Sequence, residues 1–334
     1  MTKRVRMADI ANRLNVSIVT VSKALRGKEG VSTELRQEVL RIADELGYVH
    51  KEQEPVEETG LTVGILTSGR YLSKGSSFYW SLYERLLTHL TAAKDFGILE
   101  VVSVLEEESC SLPRLVLEDR VQGLIVMGTF SADYIAMLAK LSIPFTLLDT
   151  YEIGMPYDTV LSDSYNGMAE MTHRLLSMGH TKLKFVGTIG ATSSITDRYY
   201  GFCRAMTDAG LSVTPNMVIP DRDKTGSSQL DLPDDLLETT TGLVCNCDYT
   251  ACVLLNKLTA MGIRVPQDIS IVSFDNYILS EMCSVGITTY AVDLNGMASA
   301  SASQIRRRIR FPEAKRQIIT VSGEIIARES DMQI

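Results

Sequence analysis

Residues 7–27 read MADIANRLNVSIVTVSKALRG. Met7, Ile10, Ala11 and Leu14 recur at helical spacing, and Asp9 lies in the first turn, where a carboxylate suits the positive end of the helix dipole. Ser17 follows a short turn as a natural N-cap for a second helix, whose inward stripe is Val21, Ala24 and Leu25. Ser32 and the run TELRQEVLRIADELGY announce a third helix, with Leu35, Val39, Ile42, Ala43 and Leu46 as its apolar face and Gly47 as its end. Three short amphipathic helices make a small bundle, and the first two form a helix-turn-helix pattern. In that arrangement the second helix enters the major groove with its amino-terminal residues toward base edges, while the first crosses the backbone. A helical bundle used for protein contact is the alternative, and the basic balance of the segment favours DNA.

Charge divides the chain in the same place. Residues 1–50 hold nine Lys or Arg against six Asp or Glu, a net of +3, whereas the remainder holds 24 against 35, a net of −11. Acidity keeps the larger part off nucleic acid, while the amino-terminal segment is free to approach a phosphate backbone. At 334 residues with 45% hydrophobic content, two or three domains are expected. The first residues are charged and no apolar run approaches bilayer length, so no signal peptide or membrane span is read and a cytoplasmic location is expected. The six cysteines (110, 203, 245, 247, 252, 283) form no CxxC pair and have no His at zinc-ligand spacing, so they are read as buried, reduced thiols without a metal. The four histidines sit in no GxSxG or HExxH setting, and no nucleophile–base constellation supports an enzyme.

Residues 50–60, HKEQEPVEETG, are acidic and lack apolar periodicity; they read as a linker between a headpiece at 1–49 and a larger domain at 61–334. From residue 61, apolar strands alternate with amphipathic helices: LTVGIL, a helix near 78–94, ILEVVSVL, a helix near 111–119, GLIVMG, a helix near 131–140 and PFTLLD. After a crossing near 150–162 the alternation resumes with a helix near 163–179, KLKFVG, a helix near 194–209, GLVCN, a helix near 248–262, ISIVSFD and a helix near 293–309. Continuous apolar strands with intervening helices predict parallel sheets covered on both faces, hence an α/β domain of two doubly wound lobes. Ligands in such folds bind at the carboxyl ends of the strands, so the cleft between the lobes is the expected site. GTIGAT at 187–192 follows a strand, but it lacks the third glycine and the Lys-Ser/Thr pair of phosphate loops, and no cofactor is expected.

MADIANRLNVSIVTVSKALRG followed by VSTELRQEVLRIADELGY resembles the headpiece of the LacI/GalR family of bacterial transcription regulators. The likeness continues through SDSYNGMAEMTHRLLSMGHTKLKFVG, DRYYGFCRAMTDAGL, VPQDISIVSFDN and GITTY, in the family's order. The resemblance implies a helix-turn-helix headpiece joined to a periplasmic-binding-protein-like effector domain, acting as a homodimer on double-stranded operator DNA. It implies that Ile18 and Val19 face bases, with Lys23 one turn later. Apolar side chains at 18 and 19 meet thymine methyls, so A·T-biased readout is expected there, with Lys23 reaching guanine. Ser17, Thr20, Ser22, Ser32 and Tyr48 match the family's phosphate contacts; helix capping is the alternative for the hydroxyls. Family members commonly wedge a hinge-helix leucine into the minor groove. Residues 50–60 hold no leucine and four glutamates, so control of DNA binding is expected to depend on headpiece spacing instead.

In the larger domain the resemblance implies a small effector, a sugar or sugar derivative. Phe78 and Tyr79 match side chains laid over it, and Arg198 matches an arginine that binds its hydroxyls or carboxylate. Asp149 and Asp275 match acidic strand ends at the cleft. Asp248 is expected to cap a helix and Tyr290 to line the cleft floor; Cys247 stands where members often have Asn. Together Arg198, Asp149 and Asp275 suit a polyhydroxylated ligand. No heptad tail supports a coiled-coil tetramer. The competing function is a cytoplasmic sugar-binding or sugar-processing protein whose amino-terminal helices serve only assembly.

Overall fold

The computed structural model describes residues 7–25, 31–46, 60–72, 78–154, 156–223, 228–276 and 283–334, without the side chains of Val19, Ser22 and Asp44. Tyr48 and nearly all of the acidic stretch 50–60 lie outside these residues. Chain contacts divide the protein into two units, Met1–Glu58 and Thr59–Ile334.

The first unit contains α1 (Met7–Leu14), α2 (Ile18–Leu25) and α3 (Thr33–Glu45). Asn15 turns the chain between the first two helices in the left-handed region (φ 52°), which Asn tolerates because its short polar side chain bonds locally. The Val16 N–H then returns to the Ala11 carbonyl at 3.0 Å. Ser17 and Ser32 cap α2 and α3, accepting from the Thr20 N–H at 3.0 Å and the Leu35 N–H at 3.2 Å. Each cap is worth about 1 kcal/mol. Ile10, Ala11, Val21, Ala24, Val39, Ile42 and Ala43 form the core, the faces that the helical spacing singles out.

The second unit opens with β1 (Thr62–Ser68), α4 (Gly69–Leu72), α5 (Phe78–Ala92), β2 (Phe96–Val102), α6 (Val104–Glu108), α7 (Arg114–Leu117), β3 (Gly123–Met127), α8 (Ala132–Leu138), β4 (Phe145–Leu148) and β5 (Asp158–Ser162). It continues with α9 (Ser164–Ser177), β6 (Leu183–Val186), α10 (Ser193–Asp208), β7 (Val218–Ile219), α11 (Leu236–Thr239), β8 (Gly242–Cys245), α12 (Asp248–Ala260), β9 (Ser270–Asp275) and β10 (Thr288–Ala291). Last come α13 (Leu294–Arg310), β11 (Ile318–Val321) and β12 (Glu324–Ile326). The strands make two six-stranded sheets, β11-β5-β4-β3-β1-β2 and β12-β10-β9-β8-β6-β7. Every pairing is parallel except β10 with β12. The chain enters the second lobe after β5, returns to the first for α13 and β11, and ends in the second.

Three expectations need correction. The stretch 150–162 is not only a crossing, because Asp158–Ser162 pairs with β4 inside the first sheet. The run ILEVVSVL is not one strand: Ser103 and Glu106 form a capping box that begins a helix at Val104. The helix at 294–310 packs on the first lobe, against α5, β3, β4 and β5, although it follows a strand of the second. Its arginines secure it there. Arg306 bonds Asp95 at 2.6 Å, and Arg308 Nε bonds Asp158 at 2.6 Å while the Gln317 N–H meets the other Asp158 oxygen at 2.7 Å. The cysteines are also not all reduced. Cys252 on α12 is bonded to Cys283, with Cα atoms 6.1 Å apart, a proximity made by packing across 31 positions of sequence.

Candidate functional site

In the first unit, α2 leaves two of the side chains singled out for base contact open to solvent. Ile18 is 52% exposed, large for an aliphatic side chain, and Lys23 is exposed on the same helix. The Ser17 hydroxyl is engaged with Thr20, its Oγ lying 2.8 Å from Thr20 Oγ1, besides accepting from the Thr20 N–H. Ser17 and Ser32 thus perform the capping alternative; a hydroxyl oxygen that accepts from a backbone N–H still has a proton to offer. The base-facing Val19 side chain, the Ser22 side chain and Tyr48 fall outside the described residues.

In the second unit, parallel strands bring the carboxyl ends of both sheets to one cleft. Gly128 closes β3 at φ 83°, and a Cβ there would come within 2.8 Å of the Tyr71 ring and 3.2 Å of the Tyr79 ring. The glycine therefore lets both tyrosines lie over the strand end, with ring centroids 4.5 Å apart. Tyr79 donates its hydroxyl proton to Asp149 Oδ2 at 2.8 Å, and Tyr71 donates to the Thr129 carbonyl at 3.3 Å. Asp149 itself, at the end of β4, holds a left-handed backbone (φ 60°). Phe78 is half-buried, packs against the core and meets Tyr79 edge-on at 5.3 Å.

From the second lobe, Arg198 on α10 is 5% exposed and fixed at four points. Its Nη1 donates to the Asn246 carbonyl at 2.7 Å, its Nε to Ser164 Oγ at 3.3 Å, and its Nη2 meets Asp275 Oδ1 at 3.0 Å. Its guanidinium lies 3.9 Å above the centre of the Phe274 ring. Asp275, at the end of β9, has φ 106°, a second left-handed carboxylate at the cleft. Burial pushes its carboxyl up to about 7, with Asp248 and Asp149 adding to the rise and Arg198 opposing it. Asp149 is also raised by burial, against the pull of Arg198 and Tyr79. Arg198 thus pairs with Asp275 and acts electrostatically on Asp149 of the other lobe.

Two expected contributors are placed differently. Asp248 does not cap α12 but begins it; Cys247 occupies the cap position, and buried Asp248 accepts from Thr289 Oγ1 at 2.8 Å. Tyr290 lies beneath the cleft floor: it is 2% exposed, stacks on Phe274 at 4.8 Å and accepts from the Gly323 N–H at 2.7 Å. It holds the ring on which Arg198 rests.

Tyr71, Asp221, Arg222 and Asn246 border the cleft and were not foreseen. The charged pair Asp221–Arg222 directly after an apolar strand was the available signal. GTIGAT serves structure: Thr192 caps α10 through the Ile195 N–H at 3.1 Å, and the Thr188 N–H bonds Asp221 at 2.9 Å.

Residues 6–50 match the family "Bacterial regulatory proteins, lacI family", and residues 172–330 match the "Periplasmic binding protein-like domain". The chain is 26% identical to the HTH-type transcriptional regulator DegA of Bacillus subtilis, covering 96% of each chain. It is 23% identical to the HTH-type transcriptional repressor PurR of Vibrio vulnificus, covering 98% of each. In fold it is similar to the transcriptional regulator CelR in its cellobiose complex (TM-score 0.69, 20% identity, 98% of this chain and 100% of that one). It is likewise similar to the lac repressor dimer bound to operator and an anti-inducer (TM-score 0.67, 19% identity, 99% and 100%). A headpiece match to the lacI family of bacterial regulatory proteins, a match to the periplasmic-binding-protein-like domain and likeness to regulators along the full length make the chain similar to that family from end to end.

Proposed function

We propose that this protein is a sequence-specific DNA-binding transcription regulator, acting as a repressor, whose operator affinity is set by a small polyhydroxylated ligand bound between the two lobes. The observation that carries the reading is the joining, in one chain, of a capped helix with an exposed Ile18 and Lys23 to a cleft where buried Arg198 pairs with Asp275 and acts electrostatically on Asp149 of the other lobe. Carboxylates accept from sugar hydroxyls and a guanidinium donates to them, while Tyr71 and Tyr79 offer ring surface to the C–H faces of a sugar. Asp149 and Asp275 belong to different lobes, so a ligand that touches both favours one lobe arrangement over another. DNA and ligand then change each other's affinity by the same factor.

The protein acts as a homodimer, two headpieces meeting two half-sites of a near-palindromic operator. Support comes from β2, an edge strand of the first sheet, where Phe96 (66% exposed), Ile98 and Val101 lie in the open beside Val104 and Leu105 of α6. An apolar edge strand of that kind is normally covered by another chain. The readout is A·T-biased at Ile18 and Val19, and Lys23 reaches guanine.

Selection of bound genomic fragments by the purified full-length protein, followed by anisotropy titration at two salt concentrations, tests the reading. One near-palindromic motif with steep salt dependence is the expected result. Binding that is weak and indifferent to sequence, and unaltered by removing residues 1–60, would instead favour a sugar-binding protein whose helices serve assembly.

A further inference from the structure

A second guanidinium, Arg222, borders the same cleft. It follows β7, which runs parallel to β6, as β8 and β9 do, so Arg222 shares one rim of the sheet with Asn246, Cys247 and Asp275. Asn246 stands between the two arginines. Its main-chain oxygen accepts from Arg198 Nη1 at 2.7 Å, and its side-chain oxygen accepts from Arg222 Nη2 at 3.4 Å.

Asp221, 4% exposed, holds Arg222 in place. The carboxylate accepts from Arg222 Nε at 3.0 Å and Nη2 at 2.6 Å, and also from the Thr188 N–H (2.9 Å), Asn246 Nδ2 (2.8 Å) and Thr250 Oγ1 (2.7 Å). Its charge is shared among three neutral donors and one cation, so Arg222 is oriented without being wholly offset. These bonds use Nε and Nη2. Nη1 has no hydrogen-bond partner among the described residues, and the side chain keeps 24% of its surface exposed. Cys247 and, across the cleft, Tyr71 are near enough to act on the Arg222 charge, which places the guanidinium where the two lobes face each other.

We infer that Arg222 is a specificity-determining anchor for an acidic group on the effector, and that the cleft takes a polyol bearing an anion, such as a sugar phosphate or a sugar acid. The inference rests on the effector reading above. Its hydroxyls meet Arg198, Asp149 and Asp275, and its acidic group meets Arg222 Nη1. A pre-oriented planar fork matches carboxylate or phosphate oxygens far better than a lone hydroxyl. The two arms of the cleft also set the ligand's direction, because Arg198 is already paired with Asp275 whereas Arg222 Nη1 is unengaged among the described residues.

Isothermal titration of the full-length protein with glucose 6-phosphate, ribose 5-phosphate, gluconate and glucuronate, each against glucose or ribose and against inorganic phosphate, tests this. At least one acidic sugar is expected to bind tenfold or more tightly than its uncharged parent and than phosphate alone. Arg222→Gln should erase that preference and leave the parent's affinity within about twofold, while Arg222→Lys retains part of it. A preference confined to the phosphorylated series or to the carboxylated series identifies the anion. Equal binding of charged and uncharged sugars, failure of every acidic sugar to bind, or a preference that survives Arg222→Gln overturns the inference. If neutral sugars bind and Arg198→Met abolishes their binding while Arg222→Gln changes nothing, the effector cleft stands and only the anion anchor falls. If sugar binding survives Arg198→Met, the cleft reading itself fails.

Discussion

Two aspartates in the second unit, Asp158 and Asp275, occupy opposite electrostatic situations. Asp158 begins β5 and is 1% exposed, yet Arg308 and the Gln317 N–H each reach one of its oxygens. Against burial, which raises it, those bonds hold its carboxyl below the usual range. Asp275 ends β9 with one guanidinium contact and two further carboxylates nearby, and it is pushed up to about 7. A carboxylate with enough donors binds one part of the chain to another, here α13 to the first lobe. One with too few donors is costly to keep ionised and stays near neutrality, which is the condition for exchanging hydrogen bonds with something else.

The largest test of this contrast is Arg198→Met. It leaves Asp275 and Asp149 without their guanidinium, and breaking such a buried pair costs about 3–5 kcal/mol. Urea unfolding should show that loss, moderated by proton uptake at the two carboxyls, and ligand-induced thermal shifts should vanish. A variant of unchanged stability would mean that the cleft carboxylates do not depend on Arg198.

Asp158→Asn comes next. It removes an ion pair and weakens two bonds, for an expected loss of roughly 2 kcal/mol by urea unfolding, with effector affinity unchanged. Loss of effector response without loss of stability would erase the distinction between the two aspartates.

The pH dependence sharpens the contrast in sign. Asp158 is lowered in the folded state, so its stabilisation is complete above the ordinary carboxylate range and disappears as pH falls through and below it. Asp275 is raised, so the folded state binds the extra proton between about pH 4 and 7. Its contribution favours folding on the acidic side of that window and declines as pH rises through about 7. Arg198, Asp248, Asp149, Tyr79 and Cys247 are the titratable or charged groups that act on it. Between pH 8 and 5.5 this group should add about 2 kcal/mol, a rise in Tm of roughly 4–8 °C, and Asp275→Asn should flatten that part of the profile. The smallest effect belongs to Asp149→Asn, which keeps an acceptor for Tyr79: a change within about 1 kcal/mol in a thermal melt, with weakened effector binding as its main sign.

Much of this was legible beforehand because the deciding forces are local. Ile10, Val21 and Ile42 declare their inward faces by helical spacing, and Ser17 and Ser32 sit one turn before the N–H groups they satisfy. Leu124, Ile125, Val126 and Met127 form an unbroken apolar run because a parallel strand is covered on both faces. Of the residues that resemblance singled out, Arg198 and Asp275 form an ion pair, and Arg198 acts on Asp149 through charge.

What the amino-acid sequence determined by itself, then, was the three headpiece helices, most of the strand and helix alternation and the two-lobed class. Tertiary structure alone decided that Asp158–Ser162 is a strand, that α13 and β11 return to the first lobe, that Cys252 meets Cys283, and that Arg198 and Arg222 share Asn246. Periodicity records which face of an element is buried, but not which neighbour buries it. Partners such as Asp158 and Arg308, or Asp149 and Arg198, are separated by long stretches of chain, and only the order of strands in the finished sheets brings their charges within reach.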